Sequence, residues 1–126
     1  MSTKNLIYKD ESYFIIGACM DVHNELGKGF NEIVYGDAIE LELKSSGVPY
    51  QREVKFDIYY KNQKLKHHYY ADYVIDDKII LELKAISMLT ESHSKQTLNY
   101  LAASKLKLGL LVNFGEDSLS YKRIVL

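Results

Sequence analysis

Tryptophan is absent from this 126-residue chain, and cysteine and proline occur once each. The single cysteine, Cys19, excludes an intramolecular disulfide and a thiolate-rich zinc site. It fits a reducing, cytoplasmic setting. With one proline, Pro49, and no Gly/Ser-rich or low-complexity stretch, a domain boundary has nowhere to fall, so residues 1–126 read as a single domain. No apolar stretch approaches the ~18 residues of a membrane span. Met1 to Lys9 holds no apolar signal core, so the chain reads as soluble, unprocessed and cytoplasmic, with no membrane partner. Charge of one sign is lacking too: 16 basic side chains face 17 acidic ones, a net charge of -1. A basic coat for nucleic acid is thereby excluded, and any such contact has to come from a local patch.

Hydrophobic residues make up 47% of the chain and charged residues 26%, the balance of a globular domain with a sizeable core. Ile15, Cys19, Val22 and Leu26 share one helical face, which predicts a helix over about Glu11 to Leu26. Gly27 and Gly29 end it, Gly29 serving the chain reversal where positive φ is needed. Asn31 is placed to cap a second helix, about Glu32 to Ser46, with Ile33, Ala38, Ile39, Leu41 and Leu43 as its apolar surface. Gly47 and Pro49 stop it. Strands are predicted over Tyr50 to Tyr60, Lys64 to Ile75 and Lys78 to Lys84. A helix follows over Glu91 to Ser104. Leu108 to Phe114 reads as a strand buried on both faces, and Leu119 to Leu126 as a last strand. The order is α-α-β-β-β-α-β-β, an α/β (α+β) arrangement.

The window from Tyr70 to Lys84 carries the chemistry. Along its second strand Ile79, Leu81 and Leu83 alternate with Ile80, Glu82 and Lys84. Charges on an inner strand need a reason, because burial without a partner is costly. The parity of the hairpin decides what they meet. A three-residue loop, Ile75-Asp76-Asp77, puts Asp72 opposite Ile80, on the face of Glu82 and Lys84. A two-residue loop, Asp76-Asp77, puts Asp72 opposite Leu81 and breaks the arrangement, barring a bulge. In the odd register two carboxylates and an ammonium converge, a set suited to Mg²⁺ or Mn²⁺ bound through oxygen. Such an ion lowers the pKa of a bound water, and a lysine beside it offsets developing charge. The bland alternative is a cross-strand salt bridge from Lys84 to Asp72 or Glu82.

Asp72 followed by Glu82-x-Lys84 on the next strand resembles the PD-(D/E)xK nuclease signature, with Ala71 where the superfamily name has proline. Gln96-Thr97-Leu98-Asn99-Tyr100 is similar to the QxxxY motif of its RecB-type branch. Gly29-x-x-Glu32-x-x-Tyr35 spells the motif of the GxxExxY family, assigned to the same superfamily. The flanking Val22-His23-x-x-Leu26-Gly27-x-Gly29 and Gly109-Leu110-Leu111-Val112-Asn113-Phe114-Gly115 resemble that family as well. The resemblance spans about Phe14 to Val125. It implies a restriction-endonuclease-like core with a central mixed sheet flanked by helices. It also implies phosphodiester hydrolysis of nucleic acid, with DNA the first expectation, aided by Mg²⁺ or Mn²⁺. Residue by residue, it implies Asp72, Glu82, the Leu83 carbonyl and Glu32 as metal ligands, and Lys84 as the catalytic lysine. It implies Gln96 and Tyr100 as lining the site from the following helix.

The remaining candidates come from spacing. His93 shares the helical face of Gln96 and Tyr100, and Tyr35 that of Glu32. Tyr35 and Tyr100 equally suit packing with a bonded hydroxyl. His23 reads as a satisfied core histidine, with a substrate-side role as the minority reading. His67 and His68 point to opposite faces and cannot share a metal. Cys19 reads as a small buried hydrophobe. Tyr59, Tyr60, Tyr69, Tyr70 and Tyr73 cluster on the first two strands, where one set can pack and the other stack on bases or join two copies in a homodimer. Two other functions compete with a nuclease: a nuclease-fold binding or interaction module without turnover, and a structural homodimer.

Overall fold

The computed structural model describes residues 6–126. The opening stretch read above for a signal core lies outside the described residues over its first five positions. Helix α1 (Lys9–Leu26) starts two residues before the periodic stretch, with Asp10 and Glu11 in its first turn, where the helix dipole favours acids. It stops at Gly27, whose N–H still bonds the His23 carbonyl and whose φ of 70° turns the chain out of the helix. Helix α2 (Glu32–Ser46) follows an extended Asn31 whose side chain makes no capping bond. Its buried residues are Tyr35, Gly36, Ile39 and Leu43. Ile33 and Leu41, expected on the apolar surface, are 61% and 69% exposed, because three residues at i, i+4 and i+8 already fill the stripe against the sheet.

The strands are β1 (Tyr50–Tyr60), β2 (Gln63–Ile75), β3 (Ile79–Lys84), β4 (Leu108–Asn113) and β5 (Ser120–Val125), with helix α3 (Glu91–Ser104) between β3 and β4. They form one mixed sheet in the order β1-β2-β3-β4-β5. Every pairing is antiparallel except β3 with β4, which the α3 crossover makes parallel. Helices flank this sheet. Ile15, Tyr35, Ile39 and Leu43 pack with Tyr73, Leu81, Leu110 and Phe114 in one core. Leu101 of α3 packs with Tyr69, Ala71, Val74 and Ile80 in the second. β4 is buried throughout, as its continuous apolar run predicted.

Two irregularities position the site. Asp76 and Asp77 both take left-handed φ, 55° and 56°, and the Lys78 N–H closes on the Ile75 carbonyl. The turn is thus the two-residue kind. Lys78 is then an extra residue, because Ile75 pairs with Ile79. That bulge restores odd parity, and it places Asp72 opposite Glu82, correcting the Ile80 and Leu81 alternatives. The second irregularity is a change of face within β1 and β2. Tyr73 belongs to the α1–α2 core, whereas Ala71 and Tyr69 belong to the α3 core. A regular pleat would put all three on one side. The switch falls between the pairs Arg52–Tyr73 and Val54–Ala71, at Glu53 and Asp72, and Glu53 has a φ of 54°.

Candidate active site

The ladder between β2 and β3 ends at Tyr73–Leu81. One step on, carboxylates replace carbonyls as acceptors. The Asp72 N–H donates to Glu82 Oε2 at 3.0 Å, and the Leu83 N–H donates to Asp72 Oδ2 at 2.7 Å. Glu82 is 6% exposed. Burial, then the charge of Asp72, pushes its carboxyl up to about 8. Asp72 is raised as well, mainly by burial, against the pull of the Leu83 N–H. Lys84 is half-buried at the end of β3 and its charge favours ionisation of both acids. It forms no ion pair within 4.0 Å with any described carboxylate, so the salt-bridge alternative does not form.

A hollow of about 200 Å³ opens beside Asp72, lined by Glu32, Arg52, Glu53 and Leu83 among others. Glu32, first residue of α2, accepts a hydrogen bond from the Ala85 N–H at 3.2 Å, tying the helix start to the exit of β3. Its position follows from how α2 is moored. Arg52 binds Asp37 at 2.8 Å and Glu40 at 3.1 Å, and lies over the Tyr73 ring. The Tyr73 hydroxyl donates to the Gly36 carbonyl at 2.7 Å. A Cβ at Gly36 would collide with the Arg52 guanidinium, so glycine is what lets the arginine reach across.

On α3, Tyr100 stacks on Tyr69 with ring centres 3.8 Å apart, near enough to feel the charges of Glu82 and Asp72. Gln96 is exposed, and its side chain makes no hydrogen bond among the described residues. His93 closes the capping box of α3, its Nδ1 accepting from the Thr90 N–H at 2.9 Å. The structure does not bring Tyr35 or His23 to the carboxylates. Tyr35 is fully buried, stacked on Phe114, and donates its hydroxyl to the Gly27 carbonyl. His23 is buried and bonded to the Glu116 carbonyl at 2.9 Å. Cys19 is fully buried, its thiol pushed up to about 12 by desolvation.

Sequence reasoning missed Glu53 and Asn113. Glu53 lines the hollow and its charge helps raise Asp72, but in an alternating strand nothing marks it. Asn113, at the end of β4, is fully buried. Its Oδ1 accepts from the N–H groups of Ile86 and Gly115, and its Nδ2 donates to the Ile86 carbonyl and to Glu116. This fixes the chain just past Lys84. Its only mark in the sequence is its place in the Asn-Phe-Gly motif, which carries no sign of this role.

Among the described residues no three His, Cys, Asp or Glu side chains stand close enough to hold a metal ion. The donor chemistry nonetheless fits one. Asp72 and Glu82 are hard oxygen donors whose proximity disfavours their joint ionisation, and a divalent cation relieves that. Two acids are in place; Glu32, bonded to the Ala85 amide through Oε2, would have to come closer to serve as the third.

A model of the PD-(D/E)XK nuclease superfamily matches residues 9–124. Three chains of solved structures match as well. One, the crystal structure of SSO0001, has a TM-score of 0.54 and 18% identity, covering 95% of this chain and 80% of that one, which shows likeness of fold. No curated protein matches.

Proposed function

The chain belongs to the PD-(D/E)XK nuclease superfamily, and from that premise we propose that it is a divalent-metal-dependent nuclease hydrolysing phosphodiester bonds, with DNA as its first candidate substrate. The observation that carries this reading is the facing pair Asp72 and Glu82, both raised by burial, with a lysine two residues along the same strand that pairs with no described carboxylate. The Gly29-x-x-Glu32-x-x-Tyr35 and Gln96-x-x-x-Tyr100 motifs support the finer placement in the GxxExxY family and the RecB-type branch.

Asp72, Glu82, the Leu83 carbonyl and Glu32 would hold Mg²⁺ or Mn²⁺. When bound, such an ion supplies an activated water and neutralises charge on the phosphate. The chain's own groups do the rest. Asp72 and Glu82 serve as ligands in their ionised form, so Glu82, its carboxyl at about 8, gives up its remaining proton. Lys84 donates a hydrogen bond to the attacking water or to a non-bridging phosphate oxygen, a task that requires it to have no carboxylate partner. Gln96 and Tyr100 flank the site from α3.

Calorimetric titration of Mn²⁺ into the native protein tests the site without a guess about substrate. Saturable binding is expected, with loss of at least tenfold in affinity in Asp72→Asn and in Glu82→Gln. Lys84→Ala should keep the ion and lose at least a hundredfold in cleavage of DNA. Native protein that binds no Mn²⁺, with or without an oligonucleotide present, would sink the proposal. The incomplete clustering of the acids favours a second reading, a binding module without turnover. That module predicts metal binding and no cleavage of any nucleic acid.

A further inference from the structure

The β1–β2 hairpin runs well beyond the sheet. β2 pairs with β3 only at Tyr73, Val74 and Ile75, whereas β1 and β2 stay paired out to Tyr60–Gln63. The free length is about 30 Å at ~3.3 Å per residue. α3 covers one side of its base through Phe56, Tyr69 and Tyr100. The other side carries exposed Lys55, His68 and Tyr70, and the tip carries Tyr59 and Tyr60, each 61% exposed. Between Lys55 and Tyr70 stand four lysines and one acid, Asp57, in a chain whose net charge is -1. Lys55 and Lys64 lie 3.7 and 4.0 Å from that acid. The basic patch that the overall charge forbids as a coat is thus concentrated on this arm.

We infer that the hairpin is a binding arm for single-stranded nucleic acid, its lysines meeting phosphates and its exposed tyrosines stacking on unpaired bases. The inference rests on the nuclease reading for its ligand class and adds the strandedness. Lysines alone would serve a duplex as well. Exposed rings do not, because duplex bases are already stacked on one another, whereas a single strand presents a π-face at each base. Placement agrees. Tyr70 lies two residues from Asp72, and Lys55 two residues from Glu53, which lines the hollow beside Asp72. A strand laid along the arm is delivered to the carboxylates.

Fluorescence anisotropy in EDTA tests this with no metal and no cleavage. The probes are a short labelled oligothymidylate, an oligouridylate of the same length and a DNA duplex. Native protein should bind the single strands more tightly than the duplex, and the two single strands tell DNA from RNA as the preferred source. Lys61→Gln/Lys64→Gln/Lys66→Gln should weaken binding at least tenfold and reduce the salt slope by about 2, at ~0.7 per phosphate contact. Tyr59→Ser/Tyr70→Ser should also weaken binding at least tenfold, leaving the salt slope unchanged. Unaltered Mn²⁺ titrations and melting temperatures establish that both variants fold. Variants that bind like the native protein overturn the inference, as does a native protein that binds neither single strand or prefers the duplex. A dimer that the tyrosine variant splits assigns the face to a second copy and overturns it too. If the variants bind normally while Mn²⁺-dependent cleavage persists, the arm fails and the nuclease stands. Binding through the arm without cleavage gives the reverse.

Discussion

At the scale of single residues, the tension lies in Glu82. Its carboxyl is buried against Asp72, so the fold prefers it neutral. The folded value, about 8, lies above the ordinary 4.5. The stabilisation from the neutral acid is therefore whole below pH 4.5 and is lost as pH rises through about 8. Glu82→Gln keeps an acceptor for the Asp72 amide and removes the titration. In EDTA it should match the native protein near pH 4.5 and exceed it at pH 8.5 by up to about 4 kcal/mol, read from urea unfolding. Equal stability at both pH values would show that Glu82 ionises without penalty, and the motive for a cation would go with it. Mn²⁺ should accordingly raise the melting temperature more at pH 8 than at pH 5, since protons compete for the same oxygens. Lys84→Ala should move stability by less than about 1 kcal/mol, because the ammonium has no ion partner among the described residues to lose.

At the scale of elements, the exit of β3 is the critical segment. The Asn113 side chain makes four hydrogen bonds there, two of them to Ile86. Asn113→Ala strands buried donors and acceptors and should cost about 3 kcal/mol in chemical unfolding. Gly115→Ala should do at least as much, since its new Cβ would meet the backbone of Ala85 and Ile86. Neither effect was readable beforehand. The strands and helices themselves were, to within about two residues, because their repeats are regular. Ile79, Leu81 and Leu83 alternate without a break, and Gly27, Gly29 and Gly47, the glycines beyond the ends of α1 and α2, stand where φ is positive. Regular repeats carry no sign of a place where the pleat fails. Lys78 looked like the first residue of a strand and is the bulge that sets the register. Glu53 looked like a solvent-facing position and marks the switch of faces. Asp72, Glu82 and Lys84 were legible because charge on an inner strand stands out. Asn113 was not, because an uncharged amide on a buried strand does not.

For the molecule as a whole, two helices guard one face of the sheet and one helix the other, and the carboxylates lie where the hairpin departs from that shelter. The parallel join of β3 to β4 has a consequence for the chain in time. β3 finds β2 at once, across a tight turn. Its other neighbour arrives only after α3 has been made, with Lys84 opposite Asn113. Until then β3 is an open edge, with Ile79, Leu81 and Leu83 bare on one side and Ile80 on the other, inviting to any strand it meets. A chain ended at Ser104 should therefore aggregate, and light scattering beside the full-length protein would show it. On the ribosome the same order means that β3, and with it the facing pair Asp72 and Glu82, is held on both sides only after β4 has emerged.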